Sequence, residues 1–190
     1  MAGAGSPGHR ARMSTASFPD FYRRWWPPLV RCVITQASDT RWAEDIAQDA
    51  MLAAQEDWDW LLTMDRPDAW LFKVAIRTLR RLEARARERC LLPDDTAAAD
   101  GDLMVAAATD DWVAAHLDIV AAIRSLPRRQ GEVTVLHGLI GYTFAETAEI
   151  LGISEPAAKT HFQRARGRLQ QLLGPAAPAA GVEHSQGART

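Results

Sequence analysis

The stretch that decides the fold is residues 141–173, GYTFAETAEILGISEPAAKTHFQRARGRLQQLL. It contains two helical patterns joined by a tight turn. The first pattern begins at Thr143, and Glu146 three residues later completes the Thr-x-x-Glu pattern of a capping box. Gly152 supplies the left-handed backbone that ends many helices, and Ser154 begins the second pattern as its N-cap. A short helix, a glycine turn and a longer helix together predict a helix-turn-helix.

The second of these helices has two contrasting sides. Apolar residues recur along one side at spacings of three and four and are expected to face inward: Ala158, Phe162, Ala165, Leu169 and Leu172. The other polar positions are of the types that reach base edges and phosphates in a major groove: Lys159, Thr160, Gln163, Arg164 and Arg166. This pattern favours DNA binding. The alternative is an ordinary helical hairpin whose basic face is only solvated.

Charge is balanced overall but segregated along the chain. The 190 residues carry 22 Lys and Arg against 24 Asp and Glu. Residues 18–65 have a net charge of −5 and residues 66–92 a net charge of +5. Residues 93–118 then have a net charge of −7 and residues 119–173 a net charge of +3. Alternating blocks of this kind indicate separate surfaces for different partners.

Several classes of protein lack support in the sequence. Cys32 and Cys90 are far apart and no His/Cys cluster has ligand spacing, so neither a disulfide framework nor a zinc site is expected. No apolar run approaches the length of a membrane span, and no secretory signal follows the N-terminal arginines. No nucleophile–base pair or phosphate-binding loop appears. We therefore expect a cytoplasmic protein without membrane insertion, catalytic residues, metal or cofactor.

Composition divides the chain into two helical domains. Residues 17–92 hold three helical patterns, and residues 117–173 hold the helix-turn-helix with two short helices before it. Residues 93–116 are acidic and of low complexity, which is typical of a flexible linker. Residues 1–16 and 174–190 are rich in small residues and are expected to be disordered. The predicted fold is all-α, with two small helical domains joined by a flexible acidic linker.

The first helical pattern of the N-terminal domain contains prolines. Ser17 is positioned to cap this helix, and Pro19 falls in its first turn, where a proline is tolerated. Pro27 and Pro28 interrupt the pattern further on. Because a proline inside a helix removes a hydrogen bond and clashes with the preceding turn, we expect a kink or two shorter helices.

The next two helices carry opposite charges. The second, from about residue 40 to 58, crowds four acidic or amide side chains on its outer side: Glu44, Asp45, Gln48 and Asp49. The third, from residue 69 to about 89, has an apolar stripe and an otherwise basic surface that includes Arg77, Arg80 and Arg81. Residues 59–68 are predicted as a loop of exposed aromatic and apolar residues. Stacking groups beside a cationic track suit single-stranded nucleic acid, and the acidic side suits a basic partner. For the acidic side and for the basic surface alike, the alternative is a charged face that is only solvated.

Three segments resemble the extracytoplasmic-function (ECF) group of bacterial RNA polymerase sigma factors. Residues 43–49, AEDIAQD, look like the acidic helix by which these proteins grip the clamp helices of the polymerase. Residues 66–75, RPDAWLFKVA, look like the start of the helix that melts and reads the minus-ten element. The SLP segment at 125–127 and the helix-turn-helix look like the domain that reads the minus-thirty-five element. The three segments follow the family's order over most of residues 18–173.

The resemblance implies a function and a set of contacts. It implies a sigma factor that binds core RNA polymerase, recognises promoter DNA at two boxes and initiates transcription of a specific gene set. An anti-sigma factor is a further partner expected from the family. Polymerase-binding residues would be Glu44, Asp45, Gln48 and Asp49. The minus-ten element would be bound and opened by Trp60, Trp70, Lys73, Arg77, Arg80 and Arg81. The minus-thirty-five element would be bound by Lys159, Thr160, Gln163, Arg164 and Arg166.

The chain also departs from the family's usual pattern. Arg77 stands where the family usually has Asn, and Pro156-Ala157-Ala158 replaces the usual Gly-Thr-Val of the recognition helix. His161 stands where Arg is common. Two alternatives therefore stay open. One is a helix-turn-helix regulator that acts without polymerase, which leaves the acidic helix and the Trp70 helix without a role. The other is a sigma-like protein that acts through protein interaction without opening promoters.

Overall fold

The computed structural model describes residues 17–90 and 116–174. Every regular element within those residues is a helix. The chain forms two compact units, which divide between Leu117 and Asp118. The predicted acidic linker and the two predicted disordered ends lie outside the described residues, except at their edges.

The described part of the first unit is built on three long helices and one short turn. The helices are α1 (Phe18–Gln36), α2 (Trp42–Glu56), α3 (Trp58–Leu61) and α4 (Pro67–Cys90). α1, α2 and α4 pack against one another. Their shared core includes Leu29, Ile46 and Phe72, which are fully buried. This core leaves one side of α2 and one side of α4 facing solvent.

α1 continues through its two internal prolines. It is one helix of 19 residues that contains Pro27 and Pro28, so the predicted division into two shorter helices is wrong. Each internal proline removes a backbone hydrogen bond. The turns that follow are buried at Leu29, Val30 and Val33, and this apolar burial against the neighbouring helices offsets the loss.

The segment predicted as a loop contains an ordered helical turn. α3 spans Trp58–Leu61, and the backbone N–H of Thr63 donates to the Trp60 carbonyl at 3.0 Å. Leu61 is completely buried, which corrects the expectation that the apolar residues of this segment are exposed. The reason is tertiary: Leu61 inserts into the core and orders the turn that carries it. Trp60, by contrast, is half exposed.

The second unit contains the helix-turn-helix. Its elements are α5 (Leu117–Arg124), α6 (Arg128–Val133), a π-helical segment (Thr134–Ile140), α7 (Phe144–Leu151) and α8 (Glu155–Leu173). α8 packs against both α6 and α7. α5 and α6 meet at Gly131, where an added Cβ would lie 3.5 Å from the Ile123 carbonyl oxygen, an ordinary van der Waals contact.

The predicted caps of the helix-turn-helix are all formed. Thr143 Oγ1 accepts from the Glu146 N–H at 3.2 Å, and Glu146 Oε2 accepts from the Thr143 N–H at 2.8 Å. Gly152 has a φ of +67°, and Ser154 Oγ accepts from the Ala157 N–H at 3.3 Å. The structure confirms the predicted helix-turn-helix and the all-α fold.

The inward stripe predicted for α8 ends earlier than expected. Ala158 and Ala165 are buried, but Leu172 is 57% exposed. Leu172 borders an open cavity of about 420 Å³ beside Ala121 and Ser125 of the α5 region, and does not pack into the core. The periodicity of the sequence continues to the end of the helix, whereas the packing does not.

Candidate nucleic-acid interface

α8 presents a row of polar side chains to solvent. The residues predicted to contact a major groove are all exposed, and we call them the α8 reading face: Lys159, Thr160, Gln163, Arg164 and Arg166. The buried residues Ala158 and Ala165 lie on the other side of the helix. The geometry therefore brings the five predicted residues together on one accessible surface.

Lys159 is held by two neighbours that the sequence reasoning missed. Its Nζ lies 2.7 Å from Glu155 Oε1 and 6.0 Å from the centroid of the Phe144 ring. The Glu155–Lys159 spacing of four is visible in the sequence as a helical ion pair. The Phe144 contact is not, because it joins α7 to α8. Both contacts hold the ammonium group at the N-terminal end of the reading face.

A buried carboxylate supports the turn before α8. Glu132 is 3% exposed, and its two oxygens accept from Arg128 Nε at 3.2 Å and Arg129 Nη1 at 3.1 Å. Arg129 Nη1 also lies 3.4 Å from the carbonyl oxygen of Leu151, the last residue of α7. A guanidinium at this carbonyl complements the negative end of the helix. The contact ties the helix-turn-helix turn to α6.

An aromatic cluster joins the π-helical segment to α7 and α8. The His137 ring stacks on Phe144 with a centroid distance of 3.8 Å and meets Phe162 edge-on at 4.7 Å. His137 Nδ1 lies 2.7 Å from the Tyr142 carbonyl oxygen, so this nitrogen must be the donor. His161, which replaces the family's usual Arg, is only half-buried in α8. Its Nδ1 has no hydrogen-bond partner among the described residues.

α4 has a basic face opposite its buried face. Leu71, Phe72, Ala75, Ile76 and Leu79 are buried against α1 and α2. The opposite side, which we call the α4 basic face, consists of Trp70, Lys73, Arg77, Arg80 and Arg81. Lys73, Arg77 and Arg81 are exposed, and Trp70 and Arg80 are half-buried. The cations thus follow one another along the accessible side of a single helix.

Trp60 lies at the N-terminal end of the α4 basic face. Its ring meets Trp70 edge-on, with centroids 6.1 Å apart and an angle of 78° between the planes. The side chain of Trp60 is 50% exposed. The start of α4 is fixed by the ion pair between Arg66 and Asp68, with a distance of 2.8 Å between Arg66 Nη2 and Asp68 Oδ2. The structure therefore places an accessible indole beside the cationic track.

α2 carries the predicted acidic surface. We call Glu44, Asp45, Gln48 and Asp49 the α2 acidic face; all are exposed except the half-buried Glu44. Leu52, which the sequence reasoning missed, is 50% exposed and lies on the same side of the helix. Leu52 follows Asp49 by three residues and Asp45 by seven, and this helical spacing in the sequence could have placed it on the acidic side. Just before α2, hydrogen bonding to Arg41 holds the pKa of Asp39 below its usual range.

Neither a metal site nor a membrane-spanning helix is found among the described residues. No group of three or more His, Cys, Asp or Glu side chains in this part of the chain is placed to hold a metal ion. None of its helices combines the length and the apolar character needed to cross a bilayer. Cys32 is buried in α1, where Gln36 Nε2 donates to its Sγ at 3.2 Å.

The helix-turn-helix matches a known family, and most of the chain matches known sigma factors. Residues 116–169 match the family described as Sigma-70, region 4. The chain is 30% identical over 160 residues to the ECF RNA polymerase sigma factor SigM of Mycobacterium tuberculosis, covering 83% of this chain and 78% of that protein. It is 32% identical over 142 residues to the RNA polymerase sigma factor CnrH of Cupriavidus metallidurans, covering 68% and 72%. The chain belongs to the ECF family of RNA polymerase sigma factors.

Solved structures share the fold. The sigma factor RpoE of Bartonella quintana, crystallised with the anti-sigma factor NepR, has a TM-score of 0.65 and 24% identity, covering 84% of this chain and 98% of that one. CnrH in complex with the cytosolic domain of CnrY has a TM-score of 0.57 and 22% identity, covering 90% and 97%. Family membership confirms the predicted sigma-factor class and does not favour the two alternatives. The individual site residues stay predictions.

Proposed function

We propose that this ECF sigma factor directs core RNA polymerase to promoters through three separate surfaces. The α8 reading face contacts the minus-thirty-five element, and the α4 basic face with Trp60 contacts the minus-ten element. The α2 acidic face docks on the polymerase. Residues 17–92 act as a region 2-like domain and residues 117–173 as a region 4-like domain. The protein works in the cytoplasm, where it positions the polymerase and makes or breaks no bond itself.

The observation that carries this proposal is the α8 reading face. A capped helix-turn-helix presents cationic and amide side chains together on the solvent side of its second helix. Lys and Arg bind phosphates and guanine edges, and Gln binds adenine edges. Pro156 and Ala157 precede these residues in α8. Because they lack polar side chains, the discrimination between promoters falls to Lys159, Gln163 and Arg164.

The α4 basic face supports strand opening at the minus-ten element. Cations at Lys73, Arg77 and Arg81 neutralise backbone phosphates of an unpaired strand. Trp60 offers an exposed aromatic surface on which an unstacked base packs. Arg77, which replaces the family's usual Asn, adds a charge at this position. We expect it to bind phosphate more strongly and to select less among bases.

The α2 acidic face supports polymerase docking. Asp45 and Asp49 point to solvent one turn apart, and Leu52 adds an apolar contact on the same side. An apolar centre surrounded by charge resembles the general layout of protein interfaces. Complementary charge on the polymerase then favours rapid and specific association.

Run-off transcription with core polymerase from the source organism tests the proposal. A genomic fragment library serves as template, and discrete transcripts that require this protein are expected. Lys159→Ala should reduce transcription by weakening the upstream contact. Arg168→Ala removes a cation from the same helix outside the reading face and serves as the matched control. Equal activity of the Lys159→Ala variant and the wild type would contradict the reading-face assignment.

We also propose an anti-sigma factor as a partner. RpoE of Bartonella quintana was solved with the anti-sigma factor NepR. A similar protein would keep this chain from the polymerase. Affinity purification of the tagged full chain from source cells, followed by mass spectrometry, should yield a protein that suppresses the run-off transcripts when added back. Absence of such an inhibitor under both inducing and resting conditions would contradict this part of the proposal.

A further inference from the structure

α3 is a single helical turn that carries Trp60, and it needs support from outside itself. It spans four residues, Trp58–Leu61, and joins α2 to α4. A helix of this length is not stable alone, because nucleation costs free energy and a single turn forms too few hydrogen bonds to offset that cost. The position of Trp60 therefore depends on contacts between α3 and the long helices.

Trp58 makes the aromatic contacts that anchor α3 to α1. Its ring meets Phe18 edge-on, with centroids 5.4 Å apart and an angle of 79° between the planes. It also packs against Phe21 at 5.1 Å, and Phe21 is itself buried in the core. Edge-on and tilted pairs at these distances are favourable geometries for aromatic rings. Leu61, fully buried, supplies a second anchor at the end of the turn.

The two tryptophans of the turn lie on different sides of it. Residues two apart in a helix are separated by about 200° around its axis. Trp58 consequently packs on α1, while Trp60 meets Trp70 at the start of α4 with half of its surface exposed. Loss of the Trp58 ring would remove the aromatic contacts between this turn and α1.

We propose that Trp58 is the positioning residue that holds Trp60 against Trp70, so that the indole surface is preformed for an unpaired promoter base. The inference rests on the proposed function of the α4 basic face. Preforming the surface removes the ordering cost that a mobile loop would pay at the moment of base capture. Trp58 itself touches no DNA in this arrangement.

The test uses holoenzyme that contains the full chain and a promoter found by run-off transcription. Promoter opening is measured as the permanganate reactivity of unpaired thymines. Trp58→Ala should reduce opening roughly five- to tenfold, the effect of a misplaced stacking group, while closed-complex formation is retained. Trp58→Phe should restore most of the opening, because it keeps an aromatic edge toward Phe18. A template mismatched over the minus-ten element should relieve the defect.

Trp25→Ala is the matched control for loss of a tryptophan in this unit. Trp25 packs edge-on against Phe72 of α4, with centroids 5.9 Å apart. Its removal should leave the ratio of open to closed complexes unchanged. Two results would overturn the inference. One is an equal loss of opening in Trp25→Ala and Trp58→Ala, and the other is no relief of the Trp58→Ala defect on the mismatched template. Either result would mean that the substitution destabilises the unit as a whole.

Trp60→Ala separates this inference from the proposed function. Reduced opening by Trp60→Ala together with normal opening by Trp58→Ala would overturn only the positioning role. Normal opening by Trp60→Ala would overturn the proposed function of the aromatic surface itself. If Trp58→Ala fails to bind polymerase, Trp58→Leu keeps apolar volume without the aromatic edge. Wild-type opening by that variant also overturns the positioning role.

Discussion

Thr147 is completely buried in α7, and its Oγ1 has no hydrogen-bond partner among the described residues. A buried hydroxyl without a partner costs free energy, because it gives up its bonds to water. We therefore expect the Thr147 hydroxyl to lower the stability of the helix-turn-helix, and the buried side chain lies outside the α8 reading face.

Thr147→Val should raise the free energy of unfolding by about 1 kcal/mol, because valine has the same shape and no hydroxyl to desolvate. Urea denaturation of the full chain followed by circular dichroism measures the change. Thr160→Val is the matched control: Thr160 is exposed, and its Oγ1 donates to the Pro156 carbonyl at 2.9 Å. Its effect should stay within about 0.5 kcal/mol. Lower stability of Thr147→Val would show that the hydroxyl has a partner.

The turn between α7 and α8 depends on a single backbone conformation. Gly152 has a φ of +67°, which residues with a side chain rarely adopt. No atom within 4 Å would obstruct a Cβ there, so any penalty comes from the backbone and not from crowding. Gly167, in the exposed part of α8, has equally open surroundings but helical backbone.

The two glycines should respond to alanine with opposite signs. Gly152→Ala should cost about 1–2 kcal/mol of unfolding free energy, since it forces a left-handed conformation on a residue with a Cβ. Gly167→Ala should gain about 0.5–1 kcal/mol, because alanine loses less backbone entropy in a helix. Thermal denaturation of both variants measures the difference. Equal changes in unfolding free energy for the two variants would contradict the view that the left-handed backbone at Gly152 is what requires glycine there.

Among the helices, α2 carries the acidic face that we propose docks on the polymerase. Asp45→Arg should weaken binding of the sigma factor to core polymerase by about tenfold or more, because a charge reversal places like charges together at the interface. Co-purification and fluorescence anisotropy with labelled full chain measure the affinity. Asp118→Arg makes the same charge change on an exposed residue of the other unit and should have little effect. A normal complex with Asp45→Arg would remove the docking assignment.

At the scale of the whole molecule, opposite charges are distributed over different helices. The acidic side chains of residues 18–65 include the α2 acidic face, and the basic excess of residues 66–92 lies in α4. The α8 reading face belongs to the second unit. A nearly neutral chain thereby offers surfaces of both signs, which suits one acidic and one basic class of partner.

Variants on the two surfaces that we propose contact DNA should act on different steps, and their defects should combine independently. Lys159→Ala should lower promoter affinity, and Trp60→Ala should lower the fraction of bound promoter that opens. The double variant should show the product of the two defects within about twofold, since the two side chains belong to different units and are proposed to act on different steps. Promoter binding and permanganate footprinting on the same holoenzyme measure both steps. A double defect no larger than either single one would contradict separate roles.

Local patterns were sufficient for much of the helix-turn-helix. The capping box at Thr143, the left-handed Gly152 and the Ser154 cap all follow from neighbouring residues and were predictable. Exposure was harder to predict, because it depends on which helices lie nearby. Leu61 was expected to be exposed and is buried, whereas Leu172 was expected to be buried and is exposed. Helical periodicity does not say where packing begins or ends.

The sequence by itself determined the all-helical class, the helix-turn-helix, the segregation of charge and the resemblance to ECF sigma factors, since each is written in residues close together along the chain. Only the tertiary structure decided which side chains support these features. The contact of Trp58 with Phe18 and the contact of Arg129 with Leu151 join residues 40 and 22 positions apart. Such contacts depend on how helices pack across the core, and helix packing depends on many residues together.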